Sequence, residues 1–428
     1  MAGGAAGADV AGVADQRAAR FRAQRLDRPG CDGDLLGLVR HLLAVQAQDP
    51  GAFSLALRAR IPGLTVRDLD KARADRVFVR CWGPRGTLHL IATEDLAWLY
   101  PLVKPSPAGS IRRLRQLLGT DIDVEVATSV TAAALAGQGP LTKAQLGTRL
   151  ASAGLTAEGQ AIVHLVILAA CQGLAVLGPE QAGKPTYVHA ADWLGAPLPT
   201  ELPESPEPPE SPAPAERAGL VAEPTGSARP ARPARCATPS NPARPARPAG
   251  RHGAMRMLVA RYQAAHAPCT PADLAAWSGL PYTEIARAWP APTQPPDPVS
   301  VTVTDRASSM RAALAPSADL GPPADTGPLP VRLVPAFDEY LLGWRSRDHA
   351  VREEQRRLVH PGGGVIRAAV LVDGLAVATW QARRSGRHID ISVQPFRPLP
   401  ETVIPGLAAE AADIGAFLGL EARLAVAH

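Results

Sequence analysis

Cysteine, lysine and aromatic residues are all scarce in this chain of 428 residues. The five cysteines are scattered and never occur in a C-x-x-C spacing, which argues against a disulfide framework and against a zinc site. The most apolar stretch, Ala161 to Leu177, is too short to span a membrane and contains His164 and Gln172. The start of the chain has no basic region typical of a signal peptide. We therefore expect a cytoplasmic protein without metal or cofactor.

Lysine accounts for only four of the 45 basic residues, and the other 41 are arginine. A surplus of Ala, Arg, Pro and Gly is what GC-rich codons produce, so the arginine count alone is weak evidence for an anionic partner. The net charge of +5 and the isoelectric point near 9.1 are at the border where a basic surface could bind nucleic acid. Whether the chain has a nucleic-acid-binding surface therefore depends on how its charges are distributed.

Residues 201–250 differ from the rest of the chain because they contain thirteen prolines and no aromatic residue. Such a composition cannot bury a core, and we assign residues 199–252 to a disordered insertion rich in proline and arginine. Acidic residues come first in this segment, and a repeated Ala-Arg-Pro pattern follows. It is either a solvated polyproline-II spacer or an arginine-rich strand that contacts DNA phosphates.

The first part of the chain has the order of a winged helix. Apolar residues at helical spacing predict helices over 31–45, 54–61 and 65–75, the last capped by Thr65 with Asp68 three residues on. Strand-like runs over 77–82 and 86–91 then flank Gly83-Pro84-Arg85, which indicates a hairpin. Three helices followed by a two-stranded hairpin are typical of a winged helix-turn-helix unit.

A similar order recurs along the chain. Helices over 142–150 and 159–171 precede strands over 174–177 and 186–189, and helices within 255–289 precede strands over 299–303 and 331–335. Strands over 365–372, 376–383 and 388–393 follow, with Asp373-Gly374 as a hairpin turn, then a helix over 407–420 and a strand over 421–427. The fold class is α+β, with three tandem winged helix-turn-helix units and a β-rich C-terminal portion. The expected regions outside the insertion are 1–135, 136–198, 253–335 and 336–428.

Four stretches of the chain stand out as motifs: Val45 to Pro50 (VQAQDP), Arg85 to Leu90 (RGTLHL), Thr270 to Leu280 (TPADLAAWSGL) and Ala336 to Arg347 (AFDEYLLGWRSR). Together they resemble one known family, the winged-helix DNA glycosylases of the AlkZ type. The family excises alkylated purines and unhooks crosslinks made by natural-product toxins. Its signature is a Gln, an apolar residue and then Gln or Asp, so the resemblance implies that Gln46 and Gln48 are catalytic.

The chemistry of the glutamine pair can be argued from the residues themselves. Residues i and i+2 lie about 200° apart on a helix but on one face of an extended segment. Pro50 disfavours helical geometry at Asp49, so the helix should unwind here and bring the carboxamides of Gln46 and Gln48 to one ligand. A glutamine is a poor acid or base, but a purine alkylated at N7 is cationic and leaves without protonation. The enzyme then needs only to stabilise the sugar cation and to aim a water at C1′, which amide oxygens suit.

Three further residues are possible supports for this site. Asp49 would supply negative potential, or it is a helix cap or a surface charge. His89 follows Thr87 at strand spacing, and a structural hydrogen bond is the plain alternative. His360, followed by Pro361 and three glycines, lies near DNA or in an ordinary loop.

Several basic residues are candidates for phosphate contacts. Two of them, Arg345 and Arg347, lie in the most motif-like stretch together with Asp338 and Tyr340. This stretch either holds the fold together or contacts phosphate through the two arginines. The Asp373-Gly374 hairpin either probes a groove or is an ordinary hairpin. The arginine candidates are Arg112, Arg113, Arg115, Arg345, Arg347, Arg383, Arg384 and Arg387.

We expect a monomeric DNA glycosylase that hydrolyses the N-glycosidic bond of bulky N7-alkylated purines in double-stranded DNA. It would act in repair or self-resistance, near the nucleoid of a bacterium, and could also unhook interstrand crosslinks. The alternative is a winged-helix DNA-binding protein or transcription regulator without catalysis. A structural chromatin protein would need the insertion to supply most of its affinity for DNA.

Overall fold

The computed structural model describes residues 3–28, 34–119, 121–202, 250–290 and 328–427. Within these ranges the predicted α+β class is confirmed. The strands form two sheets, one of six strands and one of five. The proline-rich stretch 203–249 and the strand predicted over 299–303 lie outside the described residues.

The helices and strands have the following bounds. The helices are α1 (Gly3–Ala23), α2 (Leu35–Leu42), α3 (Pro50–Arg58), α4 (Val66–Ala74), α5 (Leu96–Val103), α6 (Pro107–Leu118), α7 (Val124–Leu135), α8 (Lys143–Ser152), α9 (Gln160–Cys171), α10 (Ala190–Leu194), α11 (Gly250–His266), α12 (Pro271–Ser278), α13 (Tyr282–Ala288), α14 (Glu339–Leu342), α15 (Arg356–Val359) and α16 (Ile404–Leu418). The strands are β1 (Val45–Gln46), β2 (Phe78–Trp82), β3 (Leu88–Ala92), β4 (Leu141–Thr142), β5 (Ala175–Gln181), β6 (Lys184–His189), β7 (Arg332–Val334), β8 (Ala369–Val372), β9 (Leu375–Ser385), β10 (His388–Pro395) and β11 (Glu421–Val426).

Local sequence signals set the ends of the first helices. The predicted capping box is present at α4, where Thr65 accepts a hydrogen bond from the amide of Asp68 and the Asp68 carboxylate returns to Thr65. Helix α3 begins four residues before the predicted start, because Asp49 caps it and Pro50 occupies its first turn. Helix α2 ends at Leu42, three residues before the predicted end, because Leu43 has a positive φ of 67°.

The first sheet combines two segments with the same order of elements. The segments 35–92 and 124–189 each run helix, short strand, helix, helix, strand, strand, and in each the short strand pairs with the last strand. The sheet order β1-β3-β2-β5-β6-β4 therefore reads as one trio of strands followed by its mirror arrangement. The two trios are joined where Arg80 of β2 pairs with Leu177 of β5.

The third helical segment, α11 to α13, has a different partner for its predicted second strand. Strand β7 pairs with β8 in the five-stranded sheet, so the predicted wing of the third unit over residues 331–335 is wrong. Leu333 packs in the core that includes α16, while Val334 packs on the opposite side with α14. A strand buried on both faces requires a covering layer on each side. In the second sheet, α16 lies on the Leu333 side of β7 and α14 lies on the Val334 side.

The second sheet has the order β11-β10-β9-β8-β7 and matches the predicted meander. The Asp373-Gly374 turn joins β8 and β9, with φ values of 49° and 72°, as a tight hairpin requires. A second hairpin turns at Gly386-Arg387. Helix α16 covers one face, and β11 returns parallel to β10.

Buried ion pairs hold the segment 35–92 against the second sheet and its covering helices. The guanidinium of Arg58, which is fully buried in α3, binds Glu410 and Asp413 of α16 at 2.9 and 3.1 Å. The fully buried Arg60 forms a bidentate pair with Asp338, both bonds being 2.8 Å long. Asp338 also caps α14, so this pair fixes the helix that borders the glutamine pair.

Candidate active site around the glutamine pair

The segment containing Gln46 and Gln48 is extended. Gln46 is the last residue of β1, and Asp49 is the cap of α3 with φ −110° and ψ 120°. Burial alternates along the segment: Ala47 is fully buried, whereas Gln46 is half-buried and Gln48 is exposed. Both glutamine side chains therefore leave the segment on the side opposite the core. The pair lies in a strand and loop between two helices rather than at a fraying helix end.

A buried arginine on β2 binds two backbone carbonyls of this segment. Arg80 on β2 donates from Nε to the carbonyl of Ala47 at 2.7 Å and from Nη2 to the carbonyl of Gln48 at 3.1 Å. Its Nη1 atom donates to Glu180 of β5 at 2.8 Å. Burial lowers the pKa of Arg80, and the nearby Glu180 carboxylate opposes that shift. The second trio of strands thus contributes directly to the position of the glutamines.

A buried carboxylate holds the same segment from its free edge. The backbone amide of Gln46 points away from β3 and donates to Glu339 Oε1 at 2.7 Å. The other oxygen, Glu339 Oε2, accepts the indole N–H of Trp277 on α12 at 3.3 Å. Arg85 donates to the carbonyl of Trp277. The four sequence stretches that carry the family resemblance thereby meet at one place.

The two carboxamide oxygens differ in their partners. Gln48 Oε1 accepts the backbone N–H of Leu88 at 3.3 Å, which ties its side chain to β3. Gln46 Oε1 is buried and accepts no hydrogen bond from the described part of the chain. A buried acceptor without a donor is costly, by about 1–3 kcal/mol, and buried polar groups of native proteins usually have a partner. Gln46 therefore offers an acceptor at the edge of the core.

The three possible supporting residues occupy different surroundings. Asp49 is exposed and caps α3 by accepting from the amides of Gly51 and Ala52. His89 is 1% exposed and lies directly opposite Gln46 in the β1–β3 register, with Nδ1 2.9 Å from the Thr87 carbonyl oxygen. Burial lowers the pKa of His89 to about 4, so its ring is neutral near pH 7.

His360 lies at the end of α15, before Pro361 and three glycines with positive φ. It is half-buried, and burial together with Arg347 and Arg356 lowers the pKa of the ring to about 4. Both ring nitrogens are buried and without a hydrogen-bond partner among the described residues. Arg347 contributes to the lowered pKa of His360, and Arg85 contributes in the same way to a lowered pKa of Arg347.

The arginine candidates lie on separate elements of the molecule. Three are exposed on α6, where Arg113 also binds Gln116 at 3.0 Å. Arg345 is exposed, and Arg347 is half-buried and donates to the Leu341 carbonyl at 2.8 Å. The remaining three surround the tip of the β9–β10 hairpin and are exposed. The members of the α6 and hairpin groups are Arg112, Arg113 and Arg115, and Arg383, Arg384 and Arg387.

Sequence reasoning missed the residues that position the glutamines. Arg80 reads as an ordinary strand residue, and nothing in its neighbourhood distinguishes it. Glu339 and Trp277 had a signal, because each lies within one of the four resembling stretches. Asp338 and Tyr340 of the same stretch are buried, and they bind Arg60 and the carbonyl of Gly374, so they stabilise the fold.

No cluster of three or more histidine, cysteine or acidic side chains in the described ranges has the geometry to hold a metal ion. None of the described helices combines the length and the apolar character needed to cross a membrane.

Comparison with known proteins gives two matches to this architecture. Residues 39–417 match the family model described as DNA glycosylase AlkZ-like. The solved structure of Streptomyces sahachiroi DNA glycosylase AlkZ is similar over 97% of this chain and 99% of that chain, with a TM-score of 0.59 and 18% identity. No curated protein sequence matches significantly.

Proposed function

The chain belongs to the AlkZ-like DNA glycosylase family, and we propose on that premise that it hydrolyses the N-glycosidic bond of N7-alkylated purines in double-stranded DNA. Gln46 and Gln48 would hold the water that attacks C1′. The observation that carries the proposal is the buried Oε1 of Gln46, which accepts no hydrogen bond from the described residues and lies on the same side of an extended segment as the carboxamide of Gln48.

The proposed reaction needs no general acid. The bond between C1′ and N9 breaks, and its electron pair neutralises the cationic purine. The water oxygen bonds to C1′, and its proton leaves to solvent, so the products are a free alkylpurine and an abasic site. His89 opposite Gln46 has a pKa of about 4 and cannot protonate a base near pH 7, which agrees with a leaving group that departs unprotonated.

The amide oxygens stabilise the developing sugar cation through their dipoles. They are fixed before reaction, because Gln48 Oε1 is bound by Leu88 and the backbone is held by Arg80 and Glu339. Preorganised dipoles are effective because no reorganisation is needed in the transition state. Asp49 would supply negative potential to the same cation, in addition to its role as the cap of α3.

DNA binding in this proposal uses winged-helix units and the exposed arginines. The repeated order of elements in 35–92 and 124–189 favours two such units, and α11 to α13 would be the helices of a third. We propose that the arginines of α6, of the β9–β10 hairpin and of 345–347 contact phosphates. The enzyme would act as a monomer on bulky adducts that need not be flipped into a tight pocket, and on crosslinks, in bacterial repair or self-resistance.

A winged-helix DNA-binding protein without catalysis is the second candidate function. The same units and arginines would serve it, but it gives no reason for two amides held at one edge of a sheet. Family membership favours the enzyme.

Replacing the glutamines separates the two candidates. We expect a Gln46→Ala, Gln48→Ala variant to lose excision from duplexes that each contain one N7-alkylguanine, methyl or bulky, while it binds these duplexes as the wild type does. Gln138→Ala is the matched control, because Gln138 is an exposed glutamine outside the site. Absence of excision by the wild type on every adduct, with binding intact, would favour the non-catalytic protein.

A further inference from the structure

We propose that Glu339 is a positioning residue that holds Gln46 in its reactive place through the backbone. The inference rests on the proposed function, since it assigns a role toward the same reaction. Glu339 does not act on DNA itself, because it is only 1% exposed. It acts through the 2.7 Å bond that its Oε1 accepts from the amide of Gln46.

The geometry makes Glu339 the common anchor of three elements. It begins α14, it holds the free edge of β1, and its Oε2 accepts the indole N–H of Trp277 from α12. Strand β1 is only two residues long and pairs on its other side with β3. Without Glu339, the edge amide of Gln46 would have no acceptor among the described residues, and the strand that carries the glutamine would be paired on one side only.

The charge of Glu339 is unusual for a residue that serves only the fold. Its neighbour Asp338 is equally buried but is neutralised by Arg60 in a bidentate pair. Glu339 has no ion-pair partner among the described residues. The charged and titratable groups facing it are Asp338, Arg85 and Tyr262. Burying an unpaired carboxylate costs stability, and a well-folded protein tolerates such a group chiefly where it serves a function.

An ionised acceptor gives this anchor its strength. Hydrogen bonds to a charged acceptor are shorter and stronger than those between neutral groups. Burial raises the pKa of Glu339 to about 7, and the bonds from Gln46 and Trp277 oppose the rise. The carboxylate therefore changes charge in the neutral range, and the hold on Gln46 should weaken as the pH falls below about 7.

The first test compares single-turnover excision of N7-methylguanine from a duplex. We expect Glu339→Gln to lower the rate roughly 10- to 100-fold without changing duplex affinity, since small misplacement of a reacting group has effects of this size. In the glutamine variant an NH2 group replaces one of the two carboxylate oxygens, so either the Gln46 amide or the Trp277 indole N–H loses its acceptor. Glu354→Gln, an exposed glutamate, is the matched control with an unchanged rate.

The second test asks whether Glu339 acts through Gln46. In a Gln46→Ala background, Glu339→Gln should have little further effect on the residual rate, whereas a general structural defect would lower it by the same factor as before. The ratio of the wild-type rate to the Glu339→Gln rate should fall toward one as the pH drops below about 7. Titration of the substrate changes both rates by the same factor, so it does not affect their ratio. Trp277→Phe removes a bond that lowers the pKa of Glu339 and should move this transition to higher pH.

The outcomes distinguish this inference from the proposed function. A wild type that excises, together with a Glu339→Gln variant of equal rate and equal pH profile, overturns the role of Glu339 and leaves the glycosylase proposal intact. Additive losses in the Gln46→Ala background also overturn it. A wild type that excises nothing overturns both proposals.

Discussion

The buried carboxyl of Glu339 should destabilise the folded protein as the pH rises, and Glu339→Gln should remove that effect. The pKa is about 7 in the folded chain, against 4.5 for an ordinary glutamate. A pKa raised by folding means that stability is complete below the unfolded value and is lost as the pH rises through the folded one. The window of loss therefore runs from pH 4.5 to about 7.

The magnitude follows from the size of this shift. One pKa unit corresponds to about 1.4 kcal/mol, so the full loss is about 3 kcal/mol. About 2–3 kcal/mol of it falls between pH values of about 5 and 8.5, where the comparison is practical. Relative to the wild type, Glu339→Gln should become more stable by that amount over this interval, whatever constant effect the substitution has. The variant that loses activity should thus gain stability at alkaline pH.

Urea unfolding of both proteins at the two pH values measures this difference. Other titrating groups are common to both chains and cancel when the free energies are subtracted. Glu354→Gln serves again as the control and should show no pH-dependent difference. A constant difference between wild type and Glu339→Gln at both pH values would show that the carboxyl is ionised throughout. The argument for a weakened anchor below pH 7 would then be refuted.

Three further predictions concern stability and DNA binding. Asp338→Ala should lower the free energy of unfolding by about 3–5 kcal/mol, because the fully buried Arg60 loses its partner, whereas Asp348→Ala at the surface should cost at most about 1 kcal/mol in the same urea titration. As the pH falls from 6.5 toward 4, three neutral rings that must take up protons on unfolding should outweigh the opposite contribution of Glu339, so acid should destabilise the protein; a flat pH dependence there would contradict their lowered pKa values. The rings concerned are His41, His89 and His266. Arg383→Ala and Arg384→Ala should each reduce the slope of log affinity for duplex against log salt by about one, and an unchanged slope would exclude a phosphate contact at that position.

Much of the fold could be predicted because its signals act over a few residues. The cap formed by Thr65 and Asp68 and the turn at Asp373-Gly374 are present as predicted. Errors of three or four residues at α2 and α3 arose where a positive φ at Leu43 and the cap at Asp49 outweighed apolar periodicity. The sheet to which β7 belongs could not be predicted, since strand partners depend on which layers cover both faces.

The sequence by itself determined that an extended Gln-Ala-Gln segment precedes a helix with Asp49 as its cap and proline in its first turn, because strand alternation and capping are properties of adjacent residues. Only the tertiary structure decided what holds that segment. Glu339 reaches the amide of Gln46 from 293 positions away, and Arg80 reaches the carbonyls of Ala47 and Gln48 from β2, across the intervening strand β3. Residue type does not distinguish a buried, unpaired carboxylate from one on the surface. Burial and partners depend on how distant parts of the chain pack, and they set the charge and the position of each group.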